Sequence, residues 1–136
     1  DLRATDEYPY RAAIAAGVKL VMVSWAVYPA LDPARPAGLS PVIISRELRQ
    51  RLGFAGVTIT DALEAGALQP YGTTGHRTTL AASAGMDLIL CASQNPGQGD
   101  QAAAALRDGF TSRALDHAAF TAAVRRILSL RASLRR

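Results

Sequence analysis

The chain has 136 residues, enough for one domain and short for two. It is 49% apolar and 19% charged, a globular composition that excludes a disordered chain. The net charge of +4 leans on Arg125, Arg126, Arg131, Arg135 and Arg136; an arginine-rich final helix end suits its dipole, and without a basic stripe interleaved with aromatics no nucleic-acid partner is expected.

In chain order, a helical pattern over Thr5–Ala16 comes first, with Pro9 blurring its start and Gly17 as its stop. Val18–Val23 (VKLVMV) reads as a strand, and the long segment SWAVYPALDPARPAG follows as a loop in which Asp32 and Pro33 look like turn residues. Ser40 can cap a helix over Ser40–Leu52 with Pro41 at its first position, Val42, Ile43, Ile44 and Leu48 as its buried face and Gly53 as its end. Val57–Thr60 (VTIT) is a second strand, and residues 76–84 form a short helix stopped by Gly85. Met86–Cys91 (MDLILC) is a third strand, after which GQGD reads as a turn, matching neither of the common phosphate-binding patterns, and Gln101–Phe110 as a helix. Asp116 caps a final helix with a stripe of Phe120, Val124, Ile127, Leu128 and Leu134.

Three short apolar strands without alternation, separated by helices, predict an α/β fold with a parallel sheet buried on both faces. Three strands are few for an independent sheet, and loops with unusual chemistry follow each of them, where α/β folds keep their sites.

The single cysteine, Cys91, allows neither an intrachain disulfide nor a cysteine zinc site and reads as a core thiol. His76 and His117 lack metal-ligand spacing; His76 could act as a general base or bind an anion but reads first as a helix-start residue, and His117 reads as surface. No apolar run of membrane-spanning length occurs. The opening DLRATDEYPY is unlike a signal peptide and lacks an initiator methionine, so the expectation is a chain that begins partway through a gene product. Localisation, cytoplasmic or at the cell envelope, is left open.

The sharpest question lies in GVTITDALEAGAL, residues 56–68, where a strand ends on Asp61 with Glu64 three residues on. One answer makes Asp61 the cap of a helix starting near Ala62, with Glu64 completing a capping box, and the pattern alone favours it. The other makes Asp61 a catalytic carboxylate at the mouth of a site. Trp25 and Tyr28, after the first strand, form either an aromatic wall for a sugar or a cover for the sheet edge.

The stretches AAIAAGVKLVMVSWAVYPALDP, LSPVIISRELRQRLGFAGVTITDALEAGAL, AASAGMDLILCASQ and FTAAVRRILSLRASL together resemble the end of the catalytic barrel of glycoside hydrolase family 3, on its β-N-acetylglucosaminidase branch. The resemblance covers nearly all of residues 1–136 and implies about three βα units, the C-terminal portion of a (β/α)8 barrel. It implies that Asp61, in the TDxL motif, is the nucleophile of a retaining glycosidase, reversing the preference for a cap. With the nearby loop, Trp25 is expected to border the sugar pocket as a substrate-binding residue, and no metal or organic cofactor is implied. Ala62 departs from the family, many of whose members carry a second aspartate there; the glucosidase branch usually has tryptophan, and alanine before leucine fits the hexosaminidase side better. The acid/base loop of the KHFPGHG type and the sugar-binding residues of earlier strands do not occur in this chain. The implied partners are therefore a carbohydrate substrate, from peptidoglycan or chitin fragments, and an N-terminal portion of the same barrel. Rival readings are a noncatalytic half-barrel assembly module, or a β-glucosidase or phosphorylase of the same family.

Overall fold

The computed structural model describes residues 2–134; Arg135 and Arg136 of the basic C-terminal end lie outside them. Helix α1, Tyr8–Ala15, takes Pro9 into its first turn, where a missing N–H costs nothing, and ends before Gly17 at φ +82°. Strand β1, Leu20–Val23, is followed by a hairpin of β2, Val27–Tyr28, and β3, Asp32–Pro36, in the segment expected to be loop. The turn between them closes where the Leu31 amide donates to the Tyr28 carbonyl, and Asp32 opens β3.

The next helix, Val42–Arg51, is wide, with i→i+5 bonding visible where the Leu52 amide donates to the Glu47 carbonyl. Ser40 caps it as expected: its Oγ accepts the Ile43 amide at 3.2 Å. Ile44 and Leu48 point into the core. Strand β4, Val57–Ala62, leads into a short 3-10 helix, Gly66–Tyr71, and then α2, Thr74–Ala84, ended by Gly85 at φ +104°. Strand β5 is Leu88–Leu90.

Helix α3 spans Pro96–Thr111 and starts five residues before the expected Gln101. The expectation of a turn at GQGD is corrected here, since these residues are helical. The reason is local: Asn95 Oδ1 accepts the Gly97 amide at 3.0 Å and Pro96 occupies the first turn, so a capped start outweighs two glycines. Helix α4, His117–Ser133, is capped by Asp116, whose Oδ1 accepts the Ala119 amide at 2.7 Å.

The main sheet is parallel in the order β1-β4-β5, with Met22 opposite Ile59 and Ile59 opposite Leu88. The β4–β5 register breaks between Ile59 and Ala62, where Thr60 Oγ1 takes the Leu90 amide at 2.9 Å, a side-chain acceptor within the ladder. Val21 and Val23 pack with the helices around Ile44 and Leu48. The other face is open: Leu20 is 39% and Met22 54% exposed. Burial on both faces of β1 was expected and is not found, because no described element covers that side. The α4 stripe is likewise not enclosed, with Leu128 55% exposed and no residue of α4 fully buried.

Among the described residues both outer strands, β1 and β5, have an unpaired edge, each flanked by an apolar hollow. The one beside β1, about 300 Å³, is lined by Val21, Val23, Tyr28 and Leu48. The one beside β5, about 980 Å³, is lined by Leu88, Leu90, Leu106, Phe120 and Ile127. Among the described residues no helix is long and apolar enough to cross a membrane.

Candidate active site at the end of strand β4

Asp61 is the penultimate residue of β4. The next helix is the 3-10 turn at Gly66, with Ala65 before it, so no helix begins near Ala62 for Asp61 to cap. The capping reading fails for that reason. By the two-residue alternation of a strand, Asp61 falls on the face of Ile59 and Met22, the open face of the sheet. Its Oδ1 accepts the Ala62 amide at 2.7 Å, and its Oδ2 has no hydrogen-bond partner among the described residues. The carboxylate is partly exposed, with one oxygen pinned, at the C-terminal end of a parallel strand, the end where α/β folds keep their sites.

The Leu63 amide ties the turn after Asp61 to the Leu90 carbonyl at 3.0 Å, and side chains hold it from three further sides. Trp25, 6% exposed, donates its indole N–H to the Ala62 carbonyl at 2.9 Å. Arg77 Nη1 donates to the Leu63 carbonyl at 2.8 Å. The Glu64 carboxylate accepts from Gln98 Nε2 at 3.0 Å and from the Ala92 amide at 3.3 Å, tying the turn to the segment after β5. The Gln98 hydrogen bond holds the Glu64 carboxyl below its usual range, against the opposing effect of burial. Glu64 thus braces the turn through its Oε2.

The structure brings Asp61 and Trp25 together through Ala62. It gives Trp25 little free surface: the indole N–H is engaged, and the ring lies on Gly38 so closely that a Cβ there would sit 2.4 Å from Cζ3. The other candidates stand apart from this arrangement. His76 is exposed in the first turn of α2, its amide accepted by Thr73 Oγ1. His117 stacks on Phe110 at 4.0 Å between ring centroids. Cys91 follows β5, and burial, reinforced by the Glu64 charge, pushes its thiol up, away from nucleophilic chemistry. Among the described residues no group of three potential ligands could hold a metal ion.

Sequence reasoning missed Gly38, Arg77 and Gln98. Arg77 adjoins His76, which drew attention as the rarer residue type. Gly38 and Gln98 carry no local signal for these contacts, since Trp25 and Glu64 lie 13 and 34 positions away.

Parallel βα units with a carboxylate at the strand's C-terminal end occur in barrel enzymes and in open α/β enzymes alike. The model of the Glycosyl hydrolase family 3 N terminal domain matches residues 1–130, and the chain belongs to this family. The matched region is that family's N-terminal domain, a coarser assignment than the expected C-terminal portion of its barrel. A secreted glycosyl hydrolase of Arthroderma benhamiae is 51% identical over 116 residues, 82% of this chain and 33% of that protein. A beta-hexosaminidase of Stenotrophomonas maltophilia is 40% identical over 90 residues, 66% of this chain and 27% of that protein. Among solved structures, a glycoside hydrolase family 3 beta-N-acetylglucosaminidase from Paenibacillus sp. superimposes with a TM-score of 0.84 at 36% identity, covering 90% of this chain and 23% of that one. The chain thus spans a third or less of these relatives.

Proposed function

We propose that this chain is the nucleophile-bearing portion of a retaining β-N-acetylglucosaminidase, and that it corresponds to the last three βα units of the barrel. The observation that carries the reading is the Asp61 carboxylate, with Oδ1 fixed by the Ala62 amide and Oδ2 free on the open face of the sheet. The free oxygen attacks the anomeric carbon of a terminal β-linked N-acetylglucosamine. The glycosidic bond breaks, and the departing oxygen takes a proton from an acid outside this chain. Water, deprotonated by the same group, then attacks the glycosyl–Asp61 ester, releasing the sugar and regenerating the carboxylate. The reaction needs neither metal nor organic cofactor.

The acid/base comes from an N-terminal portion of the same barrel, which pairs with the free edges of β1 and β5 and covers Leu20 and Met22. Two unpaired edges and an apolar open face favour this partner over a self-sufficient module. The hexosaminidase and acetylglucosaminidase names of the relatives favour the substrate class.

The test is Asp61→Asn in a preparation carrying the rest of the barrel, assayed on an aryl N-acetylglucosaminide. Turnover falls by at least about 10³-fold with the fold intact. More than about 1% residual activity sinks the assignment. A wild-type preparation that hydrolyses aryl glucosides in preference, or that transfers to phosphate, moves the substrate elsewhere in the family.

A further inference from the structure

We infer that Trp25, seated on Gly38, is a positioning residue for the Asp61 carboxylate; the inference rests on Asp61 being the nucleophile. Ala62 is gripped at both of its peptide groups. Its N–H holds Asp61 Oδ1 at 2.7 Å, and its carbonyl accepts the Trp25 indole N–H at 2.9 Å. The second bond bridges 37 residues of sequence, from the loop after β1 to the end of β4. Together with the Leu63 amide, which donates to the Leu90 carbonyl at 3.0 Å from the same peptide plane, it fixes the torsion of the one residue whose amide aims the carboxylate.

The indole is itself over-determined. The Gly38 amide donates to the Ser24 carbonyl at 3.1 Å, which brings the glycine under the ring, and only a hydrogen fits where Cβ would stand. Ordinary edge-covering by a tryptophan requires neither the N–H donated to this carbonyl nor a glycine seat. The Leu63 carbonyl and the Glu64 carboxylate, next along the turn, are held by Arg77 and Gln98. The turn therefore cannot drift as a body, and the peptide group after Ala62 is held at both ends, its Leu63 amide by the Leu90 carbonyl at 3.0 Å and its Ala62 carbonyl by Trp25. Trp25 serves the reaction by acting on Asp61, and its buried ring leaves it no role in stacking on sugar.

The experiment replaces Trp25 with benzothienylalanine, an isostere lacking the N–H, in a preparation carrying the rest of the barrel, alongside Trp25→Phe. Each is assayed on an aryl N-acetylglucosaminide and titrated with an activated fluorinated glycoside that traps the nucleophile. Per titrated site, kcat and the trapping rate fall by about 10- to 100-fold while KM stays within about threefold, as misaimed reacting atoms predict. Unchanged kcat per site in the isostere overturns the inference, as does a loss that only lowers the number of titrated sites. If Trp25→Phe fails to fold, the isostere alone decides. Asp61→Asn separates the two readings: an active Asp61→Asn enzyme removes the nucleophile assignment itself, whereas a dead Asp61→Asn beside a fully active isostere removes only the role of Trp25.

Discussion

Two aspartates at opposite ends of the sheet differ in how their carboxylate oxygens are engaged. Asp87, just before β5, has a fully buried side chain with both oxygens engaged. Oδ2 accepts the Thr58 amide at 2.9 Å and Arg49 at 2.7 Å, and Oδ1 accepts Arg126 at 2.7 Å. Its own amide donates to Thr58 Oγ1, completing a reciprocal pair. Arg49 comes from the helix Val42–Arg51 and Arg126 from α4, so one carboxylate ties two helices to the strand starts. Asp61, at the far end of the neighbouring strand, has one oxygen pinned and the other open. Saturated acceptors make a structural joint, and an unsatisfied one exposed to the open face leaves room for chemistry.

Mutation of each aspartate sharpens the contrast, the largest effect first. Asp61→Asn removes turnover, as stated above, while its unfolding midpoint stays near wild type, because a half-exposed carboxylate contributes little to stability. Asp87→Ala does the reverse. It leaves two guanidiniums without their buried partner and costs about 3 kcal/mol, read as a lower denaturation midpoint and faster amide exchange along α4. An unchanged midpoint breaks the comparison. Gly38→Ala comes next. The new Cβ meets the Trp25 ring at 2.4 Å, and overpacking costs about 1–3 kcal/mol; calorimetry measures it, and an indole fluorescence shift reports the displaced ring.

The smallest effect concerns Asp32, whose Oδ2 accepts the Ser40 hydroxyl at 2.6 Å and Oδ1 the Ala34 amide at 3.0 Å. Those hydrogen bonds, the Ser40 one foremost, hold its carboxyl below the ordinary range. A depressed folded value means the contribution is present above the unfolded value near 4 and is lost as pH falls through the folded one. Ser40→Ala therefore removes the helix cap, about 1 kcal/mol at neutral pH, and flattens the acid side of the stability profile. Equal steepness in both proteins below pH of about 4 would show that Asp32 draws its shift from elsewhere.

The three main strands, the caps at Ser40 and Asp116 and the stop at Gly85 were legible because each is written in neighbours a few residues away, and the alternation of strand and helix announced a parallel sheet. The early start of α3 was also local, since Asn95-Pro96 is a capped helix opening, but two glycines and an expected turn hid it. The β2–β3 hairpin was not legible, because its strands are short and Pro29, Pro33 and Pro36 argue for loop. The α4 stripe was read correctly as apolar, but periodicity carries no information on whether a partner surface is present. Of the candidate site, Asp61 stood out through its place after an apolar run.

The sequence by itself determined the α/β class, the strand that delivers Asp61 to its C-terminal end and, through its motifs, the glycoside hydrolase family. Tertiary structure decided that Asp61 caps nothing, that Trp25 is buried with its N–H on Ala62, and that Gly38, Arg77 and Gln98 brace the same turn. Apolar period and capping act within one or two turns of chain, so they are written in adjacent residues. The contact between Trp25 and Ala62 spans 37 positions and exists only once β1 and β4 have paired.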